Sequence, residues 1–213
     1  EIVTSTAVYV GRDGNLLEDL AENCQVLKIS QPILSNTDML KLKELKSSRL
    51  KTAVLPITYY KSARLERAIE QLFVEVDKAY RDGAAILILS DRGVDENHVA
   101  IPSLLAVSAM SVILESGEPR DVHHFAVLLG YGASAVNPYL ALETVGQLID
   151  EHMLDKDYSA AEADYRSAVL HGIVKIASKM GISTIQSYQG AKIFEAVGIS
   201  QDVIDRYFTG TVS

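Results

Sequence analysis

Apolar and polar positions switch between a helical and a strand period along this chain, most clearly from Val112 to Thr144. A short apolar run, Val112-Ile113-Leu114, stops at the polar cluster Glu115-Ser116-Gly117-Glu118. Val122, Phe125, Ala126 and Leu129 then recur at helical spacing, and Gly130 and Gly132 mark the end of that helix. A second apolar run, Ala133-Ser134-Ala135-Val136, stops at Asn137-Pro138, and Tyr139 to Val145 reads as helix again. Strand, helix, strand, helix with short connections implies parallel strands joined by crossover helices. It also gathers the polar strand ends along one edge of a sheet.

Residues 1–48 show no sustained period. Gly11 and Gly14 suit a turn, Ser30-Gln31-Pro32 a break, and Ser35 or Asn36 can cap a short helix over Asp38 to Leu45. From Ala53 the pattern becomes regular. Ala53 to Ile57 reads as a strand, and Leu65 to Tyr80 as an amphipathic helix with Leu65, Ile69, Leu72, Phe73 and Val76 in one stripe. Asp82-Gly83 ends it, and Ala84 to Leu89 is an uninterrupted apolar strand, as expected when both faces are covered. Ser90-Asp91-Arg92-Gly93 terminates that strand, and Val99 to Met110 reads as helix, with Pro102 tolerable only in its first turn. Gly146 to Met153 prolongs the helix begun at Tyr139, and Asp155 to Asp157 is a polar linker. Ala160 to Met180 is a long helix with Tyr165, Ala168, Val169, Gly172, Ile173 and Ile176 expected on its buried side. Ile182 to Ile185 reads as a short strand, and Gly190 to Val197 and Gln201 to Phe208 as short helices. Four or five βα units predict an α/β fold, an open parallel sheet or an incomplete TIM-like half-barrel flanked by helices. Residues 1–52 form an irregular, partly helical lead-in and 53–213 the βα core.

One junction resists this reading. The helix expected to reach Met110 runs straight into the strand at Ser111 or Val112, although such connections usually take roughly 2–6 residues and a helix-ending Gly or Asn. The expectation is that residues are missing between Met110 and Ser111.

Composition narrows the function classes. At 213 residues, 48% hydrophobic and 23% charged, the chain can bury a substantial core in one large domain. A formal charge of −8 argues against nucleic acid or an anionic membrane as partner. The single cysteine, Cys24, leaves no disulfide framework and no cysteine-held cluster, and fits a reducing cytosol. No apolar run is long enough to span a bilayer. The opening Glu1-Ile2-Val3 falls mid-element without an initiator Met, as expected for a piece of a longer protein.

In a barrel or half-barrel the strand C-terminal ends form the functional face. They would bring together Tyr59 and Tyr60, Ser90 to Arg92, Glu115 to Glu118, Asn137 and Gln186. Asp91 beside Arg92, followed by Asp95, Glu96 and His98, has the chemistry of a proton relay or an anion clamp. Loop caps and ion pairs between adjacent βα loops account for the same residues more simply. His123 and His124 are neighbours on a helix and point in different directions, so no metal motif is implied even with Glu115 and Glu118 nearby. Gly130-Tyr131-Gly132 and Gly11-Arg12-Asp13-Gly14 match no phosphate-binding pattern. The residues alone therefore give a parallel α/β domain with a polar strand-end face and no assembled active site.

Several stretches carry a family resemblance: EIVTSTAVYVGRDGNLLED (1–19), QPILSN (31–36), GAAILILSDRGVDENHVAIPSLLAVSA (83–109), residues 112–144, SKMGISTIQSYQGAKIFEAVGIS (178–200) and DRYFTGTVS (205–213). In that order, over nearly the whole chain, they resemble the central domain of the large subunit of glutamate synthase, in its C-terminal part. The resemblance implies an enzyme that makes glutamate from glutamine and 2-oxoglutarate. An N-terminal amidotransferase domain releases ammonia, and an FMN-binding barrel performs the reductive amination. Electrons arrive through an iron–sulfur cluster from a small subunit or ferredoxin. The central domain is implied to be a degenerate relative of the barrel that joins the other parts and borders the ammonia route.

The chain departs from that family in three ways. It has no terminal Cys and no cysteine trio, and it ends near where the family passes into the flavin domain. A His-rich helical continuation after Ser108-Ala109 is absent at the junction already doubted, and the loop near Tyr60-Lys61 is shortened. The resemblance thus implies no cofactor site in this chain and no activity of its own, with FMN and the cluster held elsewhere. Asp91, Arg92, Glu96, Glu115 and His124 are the residues expected to face the flavin or amidotransferase domain or the ammonia route. A cytoplasmic location is expected, or the plastid stroma for a plant or alga. Two other readings stay open: a stand-alone non-catalytic binding or assembly module, and a small barrel-type lyase, for which there are too few strands.

Overall fold

A computed structural model of the chain describes residues 2–11, 17–18, 26–45, 47, 49–108 and 112–213. The centre is a four-stranded parallel sheet of β3 (Thr52–Pro56), β5 (Ile86–Ser90), β7 (Val112–Glu115) and β8 (Ala133–Asn137), in the order β3-β5-β7-β8. It does not close into a barrel, so the open-sheet expectation holds. The crossovers are α2 (Leu65–Arg81), α3 (Ser103–Val107) and α4 (Val122–Gly130), with α5 (Tyr139–Asp150) and α6 (Tyr158–Lys179) following β8. Before the sheet lies α1 (Asn36–Lys43), and after α6 come α7 (Ile185–Tyr188) and α8 (Gln201–Tyr207).

The sheet is covered on both faces, which is why β5, β7 and β8 read as near-continuous apolar runs. Val112, Leu114, Leu89, Ala133 and Val136 belong to the larger core with Phe125, Leu129, Val169 and Ile173 of α4 and α6. Ile86, Ile88, Ile113 and Ala135 face the other way, against Met39 and Leu42 of α1, Leu34 and Val10. A register irregularity beside Val112/Ile113, with Val112 opposite Ala133 and Ile113 opposite Ala135, reconciles the two faces along β8. The capping box of α1, in which Ser35 accepts from the Asp38 N–H and Asp38 accepts from the Ser35 N–H, fixes where that cover begins.

The two sheet edges are treated differently. Along β8 the chain at Pro32–Leu34 adds itself as a partial strand: Val136 donates its N–H to Pro32 O, and Leu34 donates to Val136 O. The β3 edge is open. Lys51 O and the Ile57 N–H face β5, so Thr52, Val54 and Pro56 turn their backbone groups outward. Pro56 has no N–H to leave unpaired there, a device that discourages further strands.

Several sequence expectations are corrected. Residues 99–110 are not one helix: β6 (His98–Ala100) pairs antiparallel with β4 (Thr58–Tyr60), and only Ser103–Val107 is helical. The lead-in is not merely irregular, because β1 (Val8–Val10) and β2 (Leu27–Ile29) form an antiparallel ribbon. Ile182–Ile185 is no strand beyond one bridge between Ser5 and Thr184, and Ile185 opens α7. Residues 190–197 carry no helix, only a bridge from Glu195 to Val212. On α6 Ala168 is exposed, and Val174 is buried instead. The expected gap between Met110 and Ser111, the turn at Gly14 and Cys24 lie outside the described residues.

Candidate functional site: the C-terminal edge of the sheet

Ser90, Glu115 and Asn137 end three adjacent strands, and the register sets Ser90 opposite Glu115 and Glu115 opposite Asn137. Alternation then sorts the side chains by face. Glu115 and Ser90 share the face of Ile113 and Ile88, toward α1, whereas Asp91 and Ser116 point to the opposite face.

On the α1 face the Glu115 carboxylate is 2% exposed. Lys43, in the last turn of α1, donates to both of its oxygens at 2.7 and 2.8 Å. Ser90 Oγ donates at 2.5 Å and Arg92 Nε at 2.9 Å. Arg92 continues to Glu143 of α5 through Nη1 at 3.0 Å, and its guanidinium lies 3.9 Å above the Tyr139 ring. Burial pushes the Glu115 carboxyl up, but the bonds from Lys43, Ser90 and Arg92 and the Lys43 charge outweigh it and hold the group below the usual carboxylate range. For Arg92, burial works against the charge, yet Glu115 and Glu143 raise its pKa.

On the other face Asp91, also buried, accepts from Ser116 Oγ at 2.6 Å and from the Gly117 N–H at 2.9 Å. The Tyr139 phenol is raised, first by burial and then by its hydrogen bond to Asp91. Ser116 has one hydroxyl proton and gives it to Asp91, so Ser103 must donate across the 2.7 Å contact between the two serines. Glu118 accepts from the Ser103 N–H at 3.1 Å and thereby ties the start of α3 to the loop after β7. Asn137 donates to Leu34 O and Asn36 Oδ1, joining β8 to the start of α1.

Asp91, Arg92 and Glu115, expected from the sequence, are thus brought together. Glu96 and His124 serve elsewhere. The Glu96 side chain is exposed and its carbonyl accepts from Lys61 Nζ, while the exposed His124 accepts at Nδ1 from the Arg120 and Asp121 N–H groups at the start of α4. His98 bonds Asp95 at 3.0 Å and stacks on Tyr60, with no link to Glu115. Gln186 lines a cavity at the opposite end of the strands, beside Ile86, Val112 and Ser134. Sequence reasoning missed Lys43, Ser103, Tyr139 and Glu143. Lys43 lies 72 residues before Glu115, and its one signal was a basic residue in the last turn of a capped helix.

In chemical character this edge is a closed set of ion pairs and hydrogen bonds on an open parallel α/β sheet. Its two buried carboxylates are occupied by partners from the same chain. Among the described residues no group of histidine, cysteine or carboxylate side chains is placed to hold a metal ion, and no helix is long and apolar enough to cross a membrane. Such an architecture belongs to the class of non-closed, barrel-derived packing domains.

The family follows from comparison with known proteins. The model of the glutamate synthase central domain matches residues 1–200, and the chain belongs to that family. It is 47% identical to the NADPH glutamate synthase large chain of Bacillus subtilis, over the whole of this chain and 15% of that protein. It is 39% identical to the NADH glutamate synthase of Schizosaccharomyces pombe, over the whole chain and 11% of that protein. With ferredoxin-dependent glutamate synthase 2 of Synechocystis it shares 37%, over the whole chain and 15% of the relative. The chain therefore spans 11–15% of the length of these relatives.

Proposed function

We propose that this chain is a joining domain within a glutamate synthase polypeptide, holding the amidotransferase and FMN-binding domains in register and bordering the ammonia route without an active site of its own. The observation that carries this reading is the state of the strand-end edge. Where a catalytic barrel would present free acids and bases, Glu115 and Asp91 are spent on Lys43, Ser90, Arg92, Ser116 and Gly117 of the same chain. A flavin phosphate does not fit this edge, because the cations Lys43 and Arg92 are already held by carboxylates. FMN, the iron–sulfur cluster and the electron donor, whether small subunit or ferredoxin, belong to the rest of the enzyme, and the compartment is the one that houses it.

The face offered to neighbouring domains consists of exposed groups: Arg92 with its partner Glu143, Glu96 and His124. Asp91 and Glu115 act from beneath by fixing Arg92 and the loop after β7. The test is Arg92→Ala in the full enzyme. The ratio of glutamine hydrolysed to glutamate formed should rise above one, because ammonia escapes a misaligned junction. An unchanged ratio with normal turnover would leave Arg92 with a local structural role only and remove the support for an interdomain face here.

A further inference from the structure

Residues 201–213 fall beyond the match to the central-domain family, yet they are packed into this domain. Phe208 meets Tyr131 edge-on at 5.4 Å, Thr211 Oγ1 and the Tyr131 hydroxyl are 2.7 Å apart in the interior, and Arg206 pairs with Glu70 of α2 at 2.7 Å. The Ala196 N–H donates to Val212 O, which closes a short parallel bridge between Glu195 and Val212. Burial alternates along this bridge. Phe194 and Ala196 turn inward with Thr211, while Ile193, Val197 and Val212 are 49, 88 and 68% exposed. Ile199, two residues beyond Val197, is exposed as well. Four aliphatic side chains thus crowd one outer surface of an acidic protein, a grouping that marks an interaction site more often than a solvated face.

We infer that the outer face of the Glu195–Val212 bridge, formed by Ile193, Val197, Ile199 and Val212, is the seat of the polypeptide region that follows the central domain. The inference rests on the reading above that the chain is one domain of a longer glutamate synthase. Three observations select this occupant. The family match ends at residue 200, inside the patch, whereas the similarity to the relatives covers the whole chain. Those relatives are several times longer than this chain. The strand that completes the bridge is itself the segment beyond the family match, so this face is built where one unit passes to the next. The partner it fits is an apolar protein surface, since the four aliphatic side chains offer no charge to pair.

Amide exchange of residues 193–199 should be compared in the 213-residue chain and in the full-length polypeptide. Slowing of about tenfold or more in the full-length form is expected, because covered backbone opens less often. Equal exchange in the two forms overturns the proposal, and so does a full-length chain in which nothing follows residue 213. Val197→Lys supplies a second reading: it should leave the melting temperature of the 213-residue chain unchanged while raising proteolytic cleavage near residue 200 in the full-length form. If the 213-residue chain instead dimerises, and Val197→Lys returns it to monomer, a second copy is the occupant and the proposal falls. The two readings separate cleanly. Fast exchange at 193–199 in a polypeptide that makes glutamate defeats the surface alone, and protection in a polypeptide that makes none defeats the enzyme reading alone.

Discussion

Replacing Glu115 by glutamine would leave Lys43 and Arg92 facing an uncharged amide that cannot accept from both at full strength. Removing one member of a buried pair costs roughly 3–5 kcal/mol, and the partial exposure of Lys43 and Arg92 places this case near 3 kcal/mol. Urea denaturation of Glu115→Gln against the parent measures it. The same residue sets an acid dependence. Its folded pKa lies below the ordinary value of 4.5, so its contribution is complete above that value and is lost as pH falls through the folded one. Stability should therefore decline as the medium is acidified below about pH 4.5, and the decline should be shallower in Glu115→Gln. Parallel acid limbs in the two proteins would show that Glu115 is not the group responsible.

At the scale of elements, the close crossing of α4 and α6 depends on Gly172. A Cβ added there would lie 2.5 Å from Val122 Cγ1, so Gly172→Ala must push the helices apart. A loss of about 1–3 kcal/mol is expected, with partial recovery in the double variant Val122→Ala/Gly172→Ala. Strictly additive losses would mean that the two residues do not meet. The elements also show what local pattern can reveal. The parallel strands and α2, α4, α5, α6 and α8 were legible to within a few residues, because each carries its own period and stop signals. The ribbons of β1 with β2 and β4 with β6 were not. Each strand has three residues, and its identity as a strand comes from a partner far away in sequence. The same limit hid half of the strand-end cluster. Ser90, Asp91, Arg92 and Glu115 stand at strand ends that the pattern locates, while Lys43, Ser103, Tyr139 and Glu143 reach the edge from helices whose docking no spacing reveals.

Across the whole molecule, contacts distant in sequence close the fold. Ser5 bridges Thr184, Ile33 bridges Val136, and Thr211 meets the buried Tyr131 hydroxyl. Thr211→Val keeps the shape of the side chain but strands that hydroxyl, which should cost about 1–3 kcal/mol. A melting temperature equal to the parent's would show that residues 201–213 are not part of the folding unit.

The central claim is that the chain contributes packing and leaves the flavin chemistry to other domains of the enzyme. Calorimetric titration of FMN into the purified 213-residue chain at neutral pH tests it most directly. The account predicts no saturable heat, because the cations at the strand-end edge are engaged by Glu115 and Glu143. Stoichiometric binding in the micromolar range or tighter would contradict it.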